Sequence, residues 1–276
     1  MEERAKEKPE ELADSIKMQW DSPAFDGRTL LLVEDEADKK CYFKLFNHCN
    51  VEIRTTTGCN NMKHLFDAIQ PYGVPNFAIQ DSDFARVCGK KPIEANYFLT
   101  DYHDHEMMCL YDEDIMKAVF ENLAIAYDAA LVSSTFDDLK MLSFFKWFNY
   151  HMHLNVNFKG YKPRGKARVD LRSFDAIYSV VRPQSPNCCV KITEADVLAF
   201  VSSQSSQSVF EITNGHDFLD VLSQGIETKY HIHNLRKEDI QIVIYASFTF
   251  NRFAKTQLYR DIYSWAADKA DWLFAA

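Results

Sequence analysis

Short apolar runs alternate with amphipathic stretches over the first hundred residues. TLLLV (29–33) is a continuous apolar run, the pattern of a strand buried on both faces of a parallel sheet. EADKKCYFKLFNH then sets Cys41, Leu45 and His48 at helical spacing, with Tyr42 and Phe46 beside them, and predicts a helix reaching His48. VEIRT (51–55) reads as a second strand, and NNMKHLFDAIQ as a helix stopped by Pro71 and Gly73. NFAIQ (76–80) and NYFLT (96–100) read as strands three and four. This βαβαβ opening predicts an α/β fold, a mostly parallel sheet flanked by helices.

The pattern changes further on. From Asp112 to Tyr150 it turns helical and aromatic, densest in MLSFFKWFNYHMHL. Residues 155–190 are irregular and basic, broken by Pro163, Pro183 and Pro186. SSQSSQS (202–208) reads as a surface loop, NGHDFLDVLSQGI and DIQIVIYASF as buried elements, and LYRDIYSWAADKADWLF as one amphipathic helix. The expected organisation is an N-terminal arm (1–24), mobile or partner-bound, and an α/β core (25–130). A helical and basic C-terminal region (131–276) would pack on that core and complete it.

Length and composition bound the classes. The 276 residues can bury a full core, and no apolar run approaches the roughly 20 residues that span a bilayer. MEERAKEKPEELADSIKMQW lacks an apolar signal region, and the seven cysteines form no CxxC pair. The expectation is a cytoplasmic protein with reduced thiols and no membrane partner. The net charge of −9 argues against a protein that coats nucleic acid non-specifically. Residues 1–150 hold 16 Lys and Arg against 27 Asp and Glu, and the remainder 15 against 13. Concentrated acids favour a metal site in the first half over a broad phosphate-binding face.

Those acids fall where the predicted topology makes them useful. Glu34 ends the first strand and is followed by Asp35, Glu36 and Asp38; Asp81 and Asp83 follow the third, and Asp101 the fourth. Ligands of open α/β sheets bind at the carboxyl ends of strands. Asp81 and Asp83 are expected to point the same way, because side chains alternate along an extended strand. Hard Mg²⁺ takes a few carboxylate oxygens and keeps positions open for phosphate, and Mn²⁺ is the alternative. The plain reading of any one acid is a helix cap or a solvated charge; a set at three strand ends favours a site. A response-regulator receiver would also place acids after its first strand. It fails at the third strand, where DSDFARVCGKKP replaces the Met-Pro and Gly expected after a phospho-acceptor.

The combination LLVEDEADKKCYFKLF, VEIRTTTGCNNMKHLF, FAIQDSDF, NYFLTDYHDHEMM and ITNGHDFLDVL resembles the TOPRIM-like nuclease family of bacterial anti-phage defence, whose members pair with ABC-type ATPases. The likeness covers about residues 28–111, with a shorter match near 211–222. One departure is Asp35, where the family usually has Gly; aspartate tolerates tight turns better than most residues. The resemblance implies a Mg²⁺-dependent endonuclease acting as a toxic effector, with RNA, tRNA above all, or DNA as substrate. Glu34, Asp81 and Asp83 would hold metal, Glu34 serving alternatively as general base. Asp38, one helical turn after Glu34, would reach a second ion. Lys39 and Lys40 would neutralise the scissile phosphate or stand as surface charges on a helix.

Other segments add candidates. In TDYHDHEMM, Asp101 suits a helix N-cap with Asp104 at N3, and the resemblance moves Asp101, Asp104 and Glu106 to the margin of the site. NFKGYKPRGKAR joins Lys159, Lys162, Arg164, Lys166 and Arg168 to Phe158 and Tyr161, a mixture suited to backbone attraction and base stacking. An ordinary solvated loop has the same composition. The chain contains no Walker A pattern, so any ATP dependence must come from a partner. The expected partners are an ABC-type ATPase that restrains the protein until infection, the nucleic acid, and a second copy in the active form. A metal-binding sensor or adaptor subunit that cuts nothing is the competing reading.

Overall fold

The computed structural model describes residues 9–275 apart from 26, 57, 93, 160–168, 189 and 206. The chain begins α1 (Pro9–Trp20), β1 (Thr29–Val33), α2 (Glu36–Tyr42), β2 (Val51–Thr55), α3 (Cys59–Ile69), β3 (Asn76–Gln80) and β4 (Tyr97–Leu99). It continues through α4 (His105–Leu110), α5 (Glu113–Asn122), α6 (Ala129–Met152), α7 (Phe174–Val181) and α8 (Glu194–Ser203). Then come α9 (Val209–Ile212), α10 (Gly215–Tyr230), α11 (Lys237–Ser247), α12 (Phe250–Phe253), α13 (Gln257–Ala266) and α14 (Ala270–Leu273). The fold is α/β, with an all-parallel four-stranded sheet and a helical C-terminal portion.

Two compact units share the chain, and neither is a continuous run. One, the sheet unit, comprises 1–81, 92–101 and 248–276; the other, the helical unit, comprises 82–91 and 102–247. In the sheet unit the strand order is β2-β1-β3-β4. Every residue of β1 is buried, as its unbroken apolar run requires of a strand with neighbours on both edges. The chain winds from β1 to β2 on one side and then to β3 on the other, so the β1/β3 boundary is the topological switch point.

Four local expectations change in the sheet unit. Residues 9–20 are not a loose arm: α1 packs on α3, with Ala13 and Ile16 buried in a cluster with Met62, Leu65, Phe66 and Ile69. Burying an Ile side chain contributes about 1.5–3 kcal/mol, enough to hold a helix that is polar on its other faces. α2 stops at Tyr42 rather than His48, because Phe46 turns extended and bridges to Phe274. His48 is left exposed, stacked on Phe43 at 3.8 Å. The C-terminal helix is broken at Ala267 (φ 48°) into α13 and α14. Finally, β3 ends at Gln80, and Asp83 has φ 44°, so strand alternation does not extend to the Asp81–Asp83 pair.

In the helical unit the 24-residue α6 packs against α7, α8, α9 and α10, while α11 lies on α4, α5 and α10. Of the basic segment, Lys159 is described and exposed. Lys162, Arg164, Lys166 and Arg168 lie outside the described residues. Among the described residues, no helix is long and apolar enough to cross a membrane.

Candidate functional site

The carboxyl edge of the sheet collects the first group of acids. β1 runs out at Val33, and Asp35 opens α2 as its N-cap, accepting from the N–H groups of Ala37 at 2.7 Å and Asp38 at 3.2 Å. Asp38 completes the capping box by accepting from the Asp35 N–H at 2.9 Å. Asp35 itself is extended (φ −147°, ψ −172°). No left-handed turn is required there, so an aspartate stands without strain and serves as a cap.

The capping box also fixes where Asp38 points. Its side chain is 3% exposed and held at the base of α2, and one of its oxygens lies within 4.8 Å of an Asp81 oxygen. Asp81 is the first residue after β3, so a carboxylate from the first turn of α2 and one from the end of β3 meet at the switch point. Like charges at this range repel unless a cation joins them. The donors are hard carboxylate oxygens, which suit Mg²⁺ or Mn²⁺. Glu34 is half-buried at the end of β1, one residue before the cap. Lys39 and Lys40 lie about 100° and 200° around α2 from Asp38, half-buried and exposed respectively.

Asp101 has a structural task in the same unit. Its two oxygens accept from the N–H groups of Gln257 (2.6 Å) and Leu258 (2.7 Å), tying the first turn of α13 to the end of β4. It is therefore a capping carboxylate for α13 rather than the N-cap of α4.

The remaining predicted residues belong to the helical unit. Asp104 is the N-cap of α4, accepting from Met107 N–H at 2.9 Å and from Gly215 N–H at 2.6 Å. Gly215 is obligatory on packing grounds: a Cβ there would stand 2.6 Å from both Asp104 Oδ1 and the Glu106 Cβ. Glu106, 1% exposed, accepts from Gln241 Nε2 (2.8 Å) and the Tyr245 hydroxyl (3.0 Å) and pairs with His216 (3.1 Å) and His105 (3.3 Å). Burial alone would raise its carboxyl. The two imidazoles outweigh that and hold it well below the usual carboxylate range. The hydrogen bond to Glu106 in turn raises His216 above the ordinary imidazole value. Asp104 and Glu106 thus fasten α4 to α10 and α11.

Asp83 accompanies His103, whose backbone carbonyl accepts the Asp83 N–H at 2.6 Å. Burial pushes the Asp83 carboxyl up, and the neighbouring Asp104 carboxylate adds to this, against His103 and Lys146. His103 is buried; the Asp83 side chain keeps 48% of its surface open although the atoms crowded around its carboxyl desolvate it, and both residues line a pocket with Lys146, Asn149 and Asn214. The sequence pattern marks Asn214 as a helix cap or a contact of the site, and sequence reasoning passed over Lys146 and Asn149. The signal was Lys146, Asn149 and Tyr150 at i, i+3, i+4, a polar face inside an aromatic run.

Comparison with known protein families, curated proteins and solved structures finds no match to this chain.

Proposed function

We propose that this protein is a divalent-metal-dependent endonuclease of TOPRIM-like type, acting on RNA, tRNA above all, with DNA as the alternative substrate. The observation that carries the reading is the approach of Asp38 and Asp81 within 4.8 Å at the β1/β3 switch point of a parallel sheet. Asp38 and Asp81 would hold Mg²⁺ or Mn²⁺; Glu34 does not gather with them at ligand distance and would act as general base. A bound ion there would supply neutralising charge for a phosphodiester and acidify a water. The capping box keeps Asp38 in one orientation, so this half of the ligand set is organised before metal arrives. Lys39 or Lys40 would meet the substrate's phosphates.

The resemblance supports a biological setting as well: a toxic effector of antiviral defence, restrained by an ABC-type ATPase and cutting as a homodimer once released. Purified protein incubated with tRNA, single-stranded RNA and duplex DNA, with Mg²⁺, Mn²⁺ or chelator, tests the activity. Metal-dependent cleavage of at least one substrate, lost in Asp81→Asn and Glu34→Gln, is expected. Metal-dependent binding with no cleavage of any substrate would return the protein to the sensor or adaptor class.

A further inference from the structure

The helical unit contains a pocket of about 230 Å³ between the last turns of α6 and the start of α10. Pockets that take drug-sized ligands measure roughly 300–1,000 Å³, so this smaller one suits a single ring-sized group. His103 lines it, is 2% exposed, and makes no hydrogen bond through either ring nitrogen. The carboxylate oxygens near its Nδ1, Asp104 Oδ2 at 3.5 Å and Asp83 Oδ1 at 3.9 Å, lie beyond good hydrogen-bonding range. A buried imidazole left this way calls for a partner, and the pocket is where one can enter.

The other polar groups restrict what that partner is. Asn149 Oδ1 accepts from Val156 N–H at 2.8 Å, and Asn214 Oδ1 from Asp217 N–H at 3.1 Å. With both oxygens engaged, each side chain presents its amide NH₂ as a donor. Asp83 contributes an acceptor, and Tyr150 and Phe158 contribute aromatic walls. Lys146 is paired with Asp217 at 2.5 Å, so its charge is balanced, and the Asp83 carboxylate opposes any anion. A phosphate is disfavoured inside. A neutral planar group with donors and acceptors along its edge fits. Cations stand outside instead: Lys90 lies 4.5 Å over the Tyr150 ring, and exposed Lys159 follows Phe158.

We propose that this pocket receives one unstacked base of a single-stranded nucleic acid. Asn149 and Asn214 donate to the base edge, Asp83 accepts from it, and the flanking phosphates pass Lys90 and Lys159. The proposal names the substrate feature read by the nuclease described above and rests on that reading for its use. Fluorescence anisotropy tests it, with labelled single-stranded RNA of about ten nucleotides and an abasic strand of equal length. A chelator prevents cleavage during the measurement.

The wild-type protein is expected to bind the base-containing strand at least tenfold more tightly. Asn149→Asp and Asn214→Asp keep the oxygens that hold Val156 and Asp217 and remove the donors. Each is expected to abolish the preference without lowering the melting temperature, whereas Lys159→Ala weakens both strands equally. Equal binding of the two strands by wild type, binding of neither (the result for a pocket that takes a protein side chain), or full preference in both Asp variants overturns the proposal. Cleavage in Mg²⁺ separates the two ideas. Cleavage without base preference sinks the pocket alone, and base preference without cleavage sinks the nuclease alone.

Discussion

Asp35 stands where the TOPRIM-like nucleases of the proposed reading usually have glycine, and its geometry makes the difference testable. Its backbone is extended and its side chain caps α2, so glycine is permitted but not required. Glycine is an acceptable N-cap that costs only a few tenths of a kcal/mol relative to Asp. Asp35→Gly is therefore expected to lower stability by less than about 1 kcal/mol in chemical denaturation and to leave Asp38 in place. A loss of several kcal/mol would show that the cap does more than hold the helix start. Gly215 is the opposite case. A methyl group there meets a carboxylate oxygen and a side-chain carbon at 2.6 Å. Overpacking of this kind costs about 1–3 kcal/mol, so Gly215→Ala is expected to shift the denaturation midpoint clearly, and an unchanged midpoint would contradict the packing described.

Among elements, the junction of α4, α10 and α11 depends on one buried carboxylate with two imidazoles, a phenol and an amide around it. His216 is raised above its unfolded value near 6.5, so its contribution is fully present below that pH and is lost as pH rises through the folded value. Glu106 is depressed below 4.5, so its contribution is present above that pH and is lost as pH falls through the folded value. The junction is strongest between the two. Because the His216 side chain is 45% exposed, the alkaline loss is at most about 1 kcal/mol. Melting temperatures measured from pH 5.5 to 8.5 are expected to decline above pH 6.5 in wild type, and His216→Gln is expected to flatten that decline. A parallel decline in the variant would assign it to other groups.

At the scale of the whole molecule, the sequence made the sheet readable because each strand is a short apolar run bounded by turn residues. Asp38 was picked out as one helical turn beyond Glu34, but Glu34 lies outside α2, and it is the N3 position in the capping box that sets Asp38. The partners of Asp101 and Asp104 were not, since they lie 156 and 111 residues away and local periodicity carries no record of distant contacts. The return of residues 248–276 to the sheet unit was hidden for the same reason. The Asp81–Asp83 pair misled because strand alternation was extended past the last paired residue, Gln80. What survives as the centre of the account is the Asp38–Asp81 pair. Calorimetric titration of Mn²⁺ into wild type, Asp38→Asn and Asp81→Asn tests it most directly. Saturable binding in wild type, weakened at least tenfold in each variant with melting temperature preserved, is expected. Equal Mn²⁺ affinity in all three proteins would contradict a divalent ion held by these two carboxylates.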